Sequence, residues 1–324
     1  MTETGPLFVS SGDLVADRRY KWALDHAARG DFAAAADILE QTVELVPNFA
    51  TAWFALGAIR DRLGDRAGAI AAFAKARDAD AQDYHGARLQ LARLEAGEAT
   101  PTMSEAYVRR LFDQYAARYD TALTEHLSYR GPAILLDAVQ SVMRAAGRPF
   151  HFGSALDLGC GTGLAGAAFR PFVDRLVGVD LSPAMVAQAT TKGLYDRLVT
   201  AALKQFLADE AANAATYDLV LAADVFVYVN DLNPIMTAIA RVLAAGGLLA
   251  FTVETHGNEG VKLLPTLRYA HGQAYVRQAL GSAGLAPVHL AETSVRSEKG
   301  VPVDSLVVVA QPSTAKLEPA RSGG

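Results

Sequence analysis

The segment Ala155-Leu156-Asp157-Leu158-Gly159-Cys160-Gly161-Thr162-Gly163 joins an apolar run, one carboxylate and three closely spaced glycines. A second apolar run ends in Asp180, twenty-one residues beyond Gly159. Glycine has no Cβ, so a ligand can lie directly against the chain at Gly159 and Gly161, and Gly163 lets a following helix pack closely. Asp157 can accept hydrogen bonds from the turn or from an ammonium group. An acid at the end of a second strand can accept from two ribose hydroxyls. The pair predicts a site for a nucleoside-containing cofactor. Asp224 and Tyr228 follow a third apolar run, and Glu254 and His256 follow a fourth. Arg268-Tyr269-Ala270-His271 comes later. His256 and His271 are the candidate bases, with a hydrogen-bonded structural histidine as the alternative for each. Cys160 lacks a histidine partner in sequence and reads as a small filler of the loop rather than a nucleophile.

These residues need a scaffold of alternating strands and helices. Strands are expected at 153–158, 176–179, 198–201, 219–222, 248–253, 288–293 and 305–310. Their Val, Leu and Ala content suits a sheet covered on both faces. The pattern predicts an α/β fold, a doubly wound parallel sheet with an antiparallel C-terminal addition. Two helices lead into it, one over about 104–119 and one from Pro132 to Ala146, stopped by Gly147 and Pro149. In the first, Phe112, Tyr115 and Tyr119 share a face by their spacing. They either dock the helix or close over a ligand.

The ordered set Asp157 to Gly163, Asp180 and Tyr217-Asp218 to Asp224 resembles the class I S-adenosylmethionine-dependent methyltransferases. The resemblance covers about residues 105–310 and implies a Rossmann-like sheet, S-adenosylmethionine as cofactor and S-adenosylhomocysteine as product. The compact Gly159-Cys160-Gly161-Thr162-Gly163 turn lacks the glycine spacing that favours a pyrophosphate and suits the methionine end of that cofactor. The implied cofactor residues are Tyr115, Tyr119, Arg130, Asp157, Gly159, Cys160, Gly161, Gly163, Asp180, Leu181, Met185, Ala202, Leu203 and Asp224. Acceptor contacts are expected from Tyr129, Tyr228, Arg268, Tyr269 and His271, and proton transfer from Asp224, Tyr228, His256 or His271. Many relatives carry an acid just after strand three, where this chain has Ala201-Ala202-Leu203. No Asn/Asp-Pro-Pro-Tyr/Phe segment follows strand four, which lowers the expectation of methylation on a planar amide or base. A nicotinamide or flavin site is the main alternative, and a non-catalytic cofactor-binding scaffold is another. No metal is expected.

The front of the chain has a different period. Residues 17–97 are rich in alanine and read as helices. Gly30-Asp31 returns as Gly64-Asp65, 34 positions later, with Ala35 returning as Ala69 and Leu39 as Phe73. This resembles the tetratricopeptide family, with two repeats and a cap at about 83–94. A plain helical bundle is the alternative. The implied organisation is a flexible start (1–16), helical repeats (17–97), a methyltransferase domain (98–310) and a disordered tail (311–324).

Composition narrows the partners. The net charge is −5 and the single cysteine allows no intrachain disulfide. No polybasic segment suggests nucleic acid, and neither a leader nor a membrane span is expected. The expected setting is the cytoplasm. The expected acceptor is a small molecule, or else a protein or peptide held by the repeats, and a homodimer is a compatible assembly.

Overall fold

The computed structural model describes residues 8–119, 129–298 and 300–313. The chain divides into two compact units, residues 1–114 with 262–268 and residues 115–261 with 269–324.

The first unit contains α1 (Leu14–Ala28), α2 (Phe32–Leu45), α3 (Ala50–Arg62), α4 (Arg66–Ala79), α5 (Ala87–Arg93) and most of α6 (Glu105–Tyr115). Helix α1 thus begins three residues ahead of the expected helical start, capped by the Asp13 side chain. Two turns in this unit are built alike. Gly30 and Gly64 take the left-handed conformation at φ +82° and +81°. The next residues, Asp31 and Asp65, cap α2 and α4 through the amides of Ala34 and Gly68. A left-handed glycine followed by an N-cap aspartate ends one helix and starts its antiparallel neighbour within two residues. Alanines 16, 23, 35, 52, 55 and 72 then let the helices approach around Tyr20, Leu39, Phe49 and Leu56. At the second pair, a Cβ on Gly57 would lie 2.7 Å from the Phe73 ring, so glycine is what admits that ring.

The second unit is a mostly parallel sheet. Its strands include β1 (Phe152–Leu158), β2 (Val173–Asp180), β3 (Arg197–Thr200), β4 (Tyr217–Ala222) and β5 (Leu243–Glu254). The order β3-β2-β1-β4-β5 is parallel throughout. After β6 (Val261–Leu263), β7 (Tyr269–His271) adds one parallel pairing at Glu254 and Ala270. β8 (Leu285–Glu298) and β9 (Val301–Pro312) form an antiparallel hairpin, and β9 runs antiparallel to β5. This is the expected doubly wound sheet with an antiparallel addition, but the last two strands are longer than expected. Pro312 still pairs with Leu285, so the strand enters the segment read as tail. Residues 314–324 lie outside the described ones. The three-residue strands β6 and β7 carry too short a period to stand out in sequence.

Strict alternation shows why this sheet is buried on both sides. Leu156, Val177, Val220 and Leu249 enter one core. Their strand neighbours Ala155, Leu176, Leu219 and Leu248 enter the other. The first face is covered by α10 (Leu203–Ala212), α11 (Leu232–Val242) and α12 (Gln273–Ser282). The second is covered by α7 (Gly131–Ala145) and α8 (Leu164–Phe169). Helix α9 (Pro183–Thr191) packs on the 3₁₀ turn Ala116–Arg118. The lead helix expected to run through 119 therefore ends as an α-helix at Tyr115 and tightens into that turn. Among the described residues, no helix is long and apolar enough to cross a membrane.

Candidate functional site

Strand order reverses between β1 and β4, so the crevice beyond their carboxyl ends is where ligands bind in sheets of this kind. The glycine turn lies there. Gly159, Gly161 and Gly163 have φ values of +63°, +54° and +93°, a region L side chains avoid. The turn is held by Cys160 N–H donating to the Val179 carbonyl (3.0 Å) and Gly163 N–H donating to the Cys160 carbonyl (2.8 Å).

Asp180, at the end of β2, ties the turn to the next helix. One carboxylate oxygen accepts from Gly161 N–H (2.9 Å) and the other from Ser182 N–H (2.8 Å). Ser182 caps α9 through the Met185 amide. The backbone bond from Ala201 N–H to the Asp180 carbonyl (3.0 Å) brings the Ala201-Ala202-Leu203 turn alongside. Met185 is fully buried, and Leu181 is half-buried.

Asp157 is 1% exposed. Burial pushes its carboxyl up to about 7. Tyr195 donates a hydrogen bond that pulls the other way, Asp180 adds a push upward, and the Gly166 amide a further pull downward. The Tyr195 hydroxyl lies 2.7 Å from the Asp157 Oδ2 atom. Burial, reinforced by Asp157 and Asp180, raises the Cys160 thiol far above its usual range, so no thiolate nucleophile is available, consistent with a filler role. A cavity of about 30 Å³ is lined by Tyr119, Tyr129, Asp157, Gly159, Cys160, Gly161 and neighbours through Ala223. Among the described residues that line it there is no lysine or arginine. Tyr119 stands 3.8 Å from where a Cβ on Gly161 would be.

On the β4 side, Asp224 adopts φ +59°, an uncommon conformation for a non-glycine residue. Its amide donates to the Thr252 hydroxyl (2.9 Å). Its carboxylate pairs with Arg296 at 2.5 Å. Arg296, on β8, is 2% exposed and also pairs with Glu254 at the end of β5 and with Glu298 (3.3 Å). Tyr129 lies within electrostatic reach of this cluster. Burial, then the charge of Asp224, raises its hydroxyl well above the usual range.

The remaining expected residues are distributed more widely. Arg130 is exposed, and its amide donates to the Val295 carbonyl (2.8 Å). Tyr115 is half-buried at the end of α6, and Tyr228 is half-buried at the end of a 3₁₀ turn. Tyr269 and His271 are fully buried on β7, and Arg268 is buried. The His271 Nε2–H donates to the Val229 carbonyl (2.9 Å), and burial lowers its pKa to about 4. His256 lines a different concavity of about 450 Å³ with Glu259, Glu292 and Asp304. That concavity and the glycine-turn cavity share no lining residue. Thus Tyr119, Tyr129, Asp157 and the glycine turn are brought together, with Asp180 bonded to that turn. Neither histidine is among the residues lining their cavity. Among the described residues, no group of side chains is arranged to hold a metal.

Two contributors were absent from the sequence reading. Tyr195 sits in a short connection before β3 with no motif around it. Arg296 is a charge inside a strand of mixed polarity, and only the fold shows that it points inward.

Comparison with known proteins centres on the same region. Residues 156–251 match the family model described as Methyltransferase domain. A human relative, Methyltransferase-like protein 27, is 35% identical over 105 residues, which are 32% of this chain. The aligned stretch spans 40% of that relative's length. Among solved structures, a magnesium protoporphyrin IX methyltransferase from Synechocystis PCC 6803 with bound SAH is 20% identical, covering 64% of this chain and 99% of its own (TM-score 0.49). An S-adenosylmethionine-dependent methyltransferase from Clostridium acetobutylicum is 16% identical, covering 63% and 99% (TM-score 0.46). The matched residues 156–251 run from β1 through most of β5 and include the glycine turn and Asp180.

Proposed function

We propose that this protein is an S-adenosylmethionine-dependent methyltransferase acting on a small-molecule acceptor by direct SN2-type transfer. The observation that carries this reading is a glycine turn flanked by two carboxylates: Asp157 lines the turn's cavity with Gly159 and Gly161, and Asp180 is bonded to the Gly161 amide. A pyrophosphate there would face the Asp157 carboxylate, whereas a cofactor bearing a sulfonium and an ammonium is complementary to it. That contrast favours the sulfur cofactor over a nicotinamide dinucleotide.

The residues present fit the cofactor in chemical terms. Asp157 is placed to accept from an ammonium group. Asp180 accepts one backbone amide on each oxygen, and a carboxylate there is of the chemical type that accepts from ribose hydroxyls. The glycine turn supplies a wall without side chains, and Tyr119 and Tyr129 line the same cavity. When bound, S-adenosylmethionine supplies an electrophilic methyl carbon on a sulfonium leaving group. Holding the acceptor in line with that carbon is the chain's main contribution. The Asp224 carboxylate is committed to Arg296, and His271 is neutral and bonded to Val229. An acceptor already carrying a neutral nucleophile, such as an amine, therefore suits the site best.

The repeated glycine–aspartate turns support a tetratricopeptide-like reading of the helical unit. They motivate a second acceptor class, a protein or peptide recruited by the helices. To separate the two, methyl-labelled cofactor is incubated with a metabolite extract and, separately, with a protein extract. We expect label in the small-molecule fraction, and Asp180→Ala reducing it by roughly 10- to 100-fold through lost charge-assisted hydrogen bonds. Label confined to protein would select the second class, and no transfer to either would contradict the enzyme reading.

A further inference from the structure

We infer that Tyr195 is a positioning residue for the cofactor site, holding Asp157 as an oriented anion that receives the cofactor's ammonium group. This rests on the methyltransferase reading above. No sequence motif includes Tyr195, and the structure alone connects it to the glycine turn.

The geometry is specific. The Tyr195 hydroxyl donates to Oδ2 of Asp157 at 2.7 Å, and only 1% of Asp157 is exposed. The ring is seated on three glycines from three elements. A Cβ on Gly166 of α8 would lie 2.2 Å from the Tyr195 hydroxyl oxygen. One on Gly178 of β2 would lie 2.8 Å from its ring, and one on Gly163 3.1 Å from it. Any larger residue at 166 or 178 would displace the ring, so those two glycines shape a socket for the tyrosine rather than for a ligand. The neighbouring Asp196 amide donates to the Leu176 carbonyl (2.8 Å), and its carboxylate accepts from the Leu176 amide (2.7 Å). The connection that carries Tyr195 is thereby anchored to β2, and the hydroxyl cannot drift from its acceptor.

The consequence is electrostatic. Asp157 is buried and faces a second carboxylate, Asp180, both of which favour its neutral form. Tyr195 and the Gly166 amide oppose them. The other titratable groups facing Asp157 are the Cys160 thiol and the Tyr129 hydroxyl, and both stay protonated because burial raises them. With its carboxyl near 7, Asp157 is balanced close to neutrality, and the Tyr195 hydrogen bond decides how much of it is ionised. The Tyr195 hydroxyl and the Gly166 amide together fix the carboxylate where it lines the cavity.

The test is calorimetric titration of S-adenosylhomocysteine into wild type, Tyr195→Phe and Asp157→Asn across pH 6 to 9, with thermal unfolding confirming that each variant is folded. Wild-type affinity should rise with pH through about 7 as Asp157 ionises. Tyr195→Phe keeps the ring but removes the donor, so its rise should move upward by about one pH unit. Binding should then be about fivefold weaker at pH 7, about tenfold weaker at pH 6 and close to wild type at pH 9. Asp157→Asn should be weak without that rise. A purely structural tyrosine would give the same loss at every pH or none, and either result overturns the inference while leaving the cofactor reading intact. Wild type that binds no S-adenosylhomocysteine at any pH overturns both.

Discussion

Arg296 shows how much a single side chain can organise. It is buried and shared by carboxylates from the loop after β4, the end of β5 and its own strand. Replacing it with methionine would remove the guanidinium that pairs with buried Glu254 and part-buried Asp224, so Arg296→Met should cost about 3–5 kcal/mol of stability. Urea unfolding of the variant measures this directly, and a loss below about 1 kcal/mol would show the carboxylates find other partners. The same ion pair changes the role open to Asp224. Its position after strand four is legible in sequence, but the commitment of its carboxylate is not, because Arg296 lies 72 positions away on a strand with no motif. Gly159, Gly161, Gly163 and Asp180 are legible because backbone geometry calls for them, and Asp157 because it adjoins that turn, whereas its partner Tyr195 is 38 positions away. The histidines are the opposite case. His271 lies on a three-residue strand whose burial depends on the whole sheet, so no local pattern indicates that it is neutral and bonded.

At the scale of elements, alternation and turn chemistry carry most of the information. The β1, β2, β4 and β5 strands alternate between two cores, and their apolar runs are long enough to be read directly. Strand ends were harder to place. β8 and β9 reach beyond their apolar centres because hairpin pairing continues through polar residues to Pro312. The helical unit was legible through Gly30-Asp31 and Gly64-Asp65, since a left-handed turn and an N-cap need those residue types. Its close packing makes a specific prediction. Gly57→Val should destabilise the chain by about 2 kcal/mol, because the new side chain meets the Phe73 ring. Differential scanning calorimetry checks it, and an unchanged unfolding profile would mean that α3 and α4 separate freely. Helix propensity alone predicts the opposite sign, since glycine is a poor helix former.

For the whole molecule, a helical unit accompanies a sheet unit whose residues 156–251 match a methyltransferase family model, and the cofactor class is the central claim. That claim stands on the glycine turn and its two carboxylates: Asp157 lines the turn's cavity with Tyr119 and Tyr129, and Asp180 is bonded to the turn. The acceptor is less legible because its contacts depend on side chains scattered over several loops, whereas the cofactor turn is one continuous segment. The most direct measurement is calorimetric binding of S-adenosylmethionine and S-adenosylhomocysteine to the purified full chain, with NAD as the control. The account predicts saturable one-to-one binding of both sulfur compounds and none of NAD. Binding of NAD in their place would contradict it and assign the glycine turn to a dinucleotide.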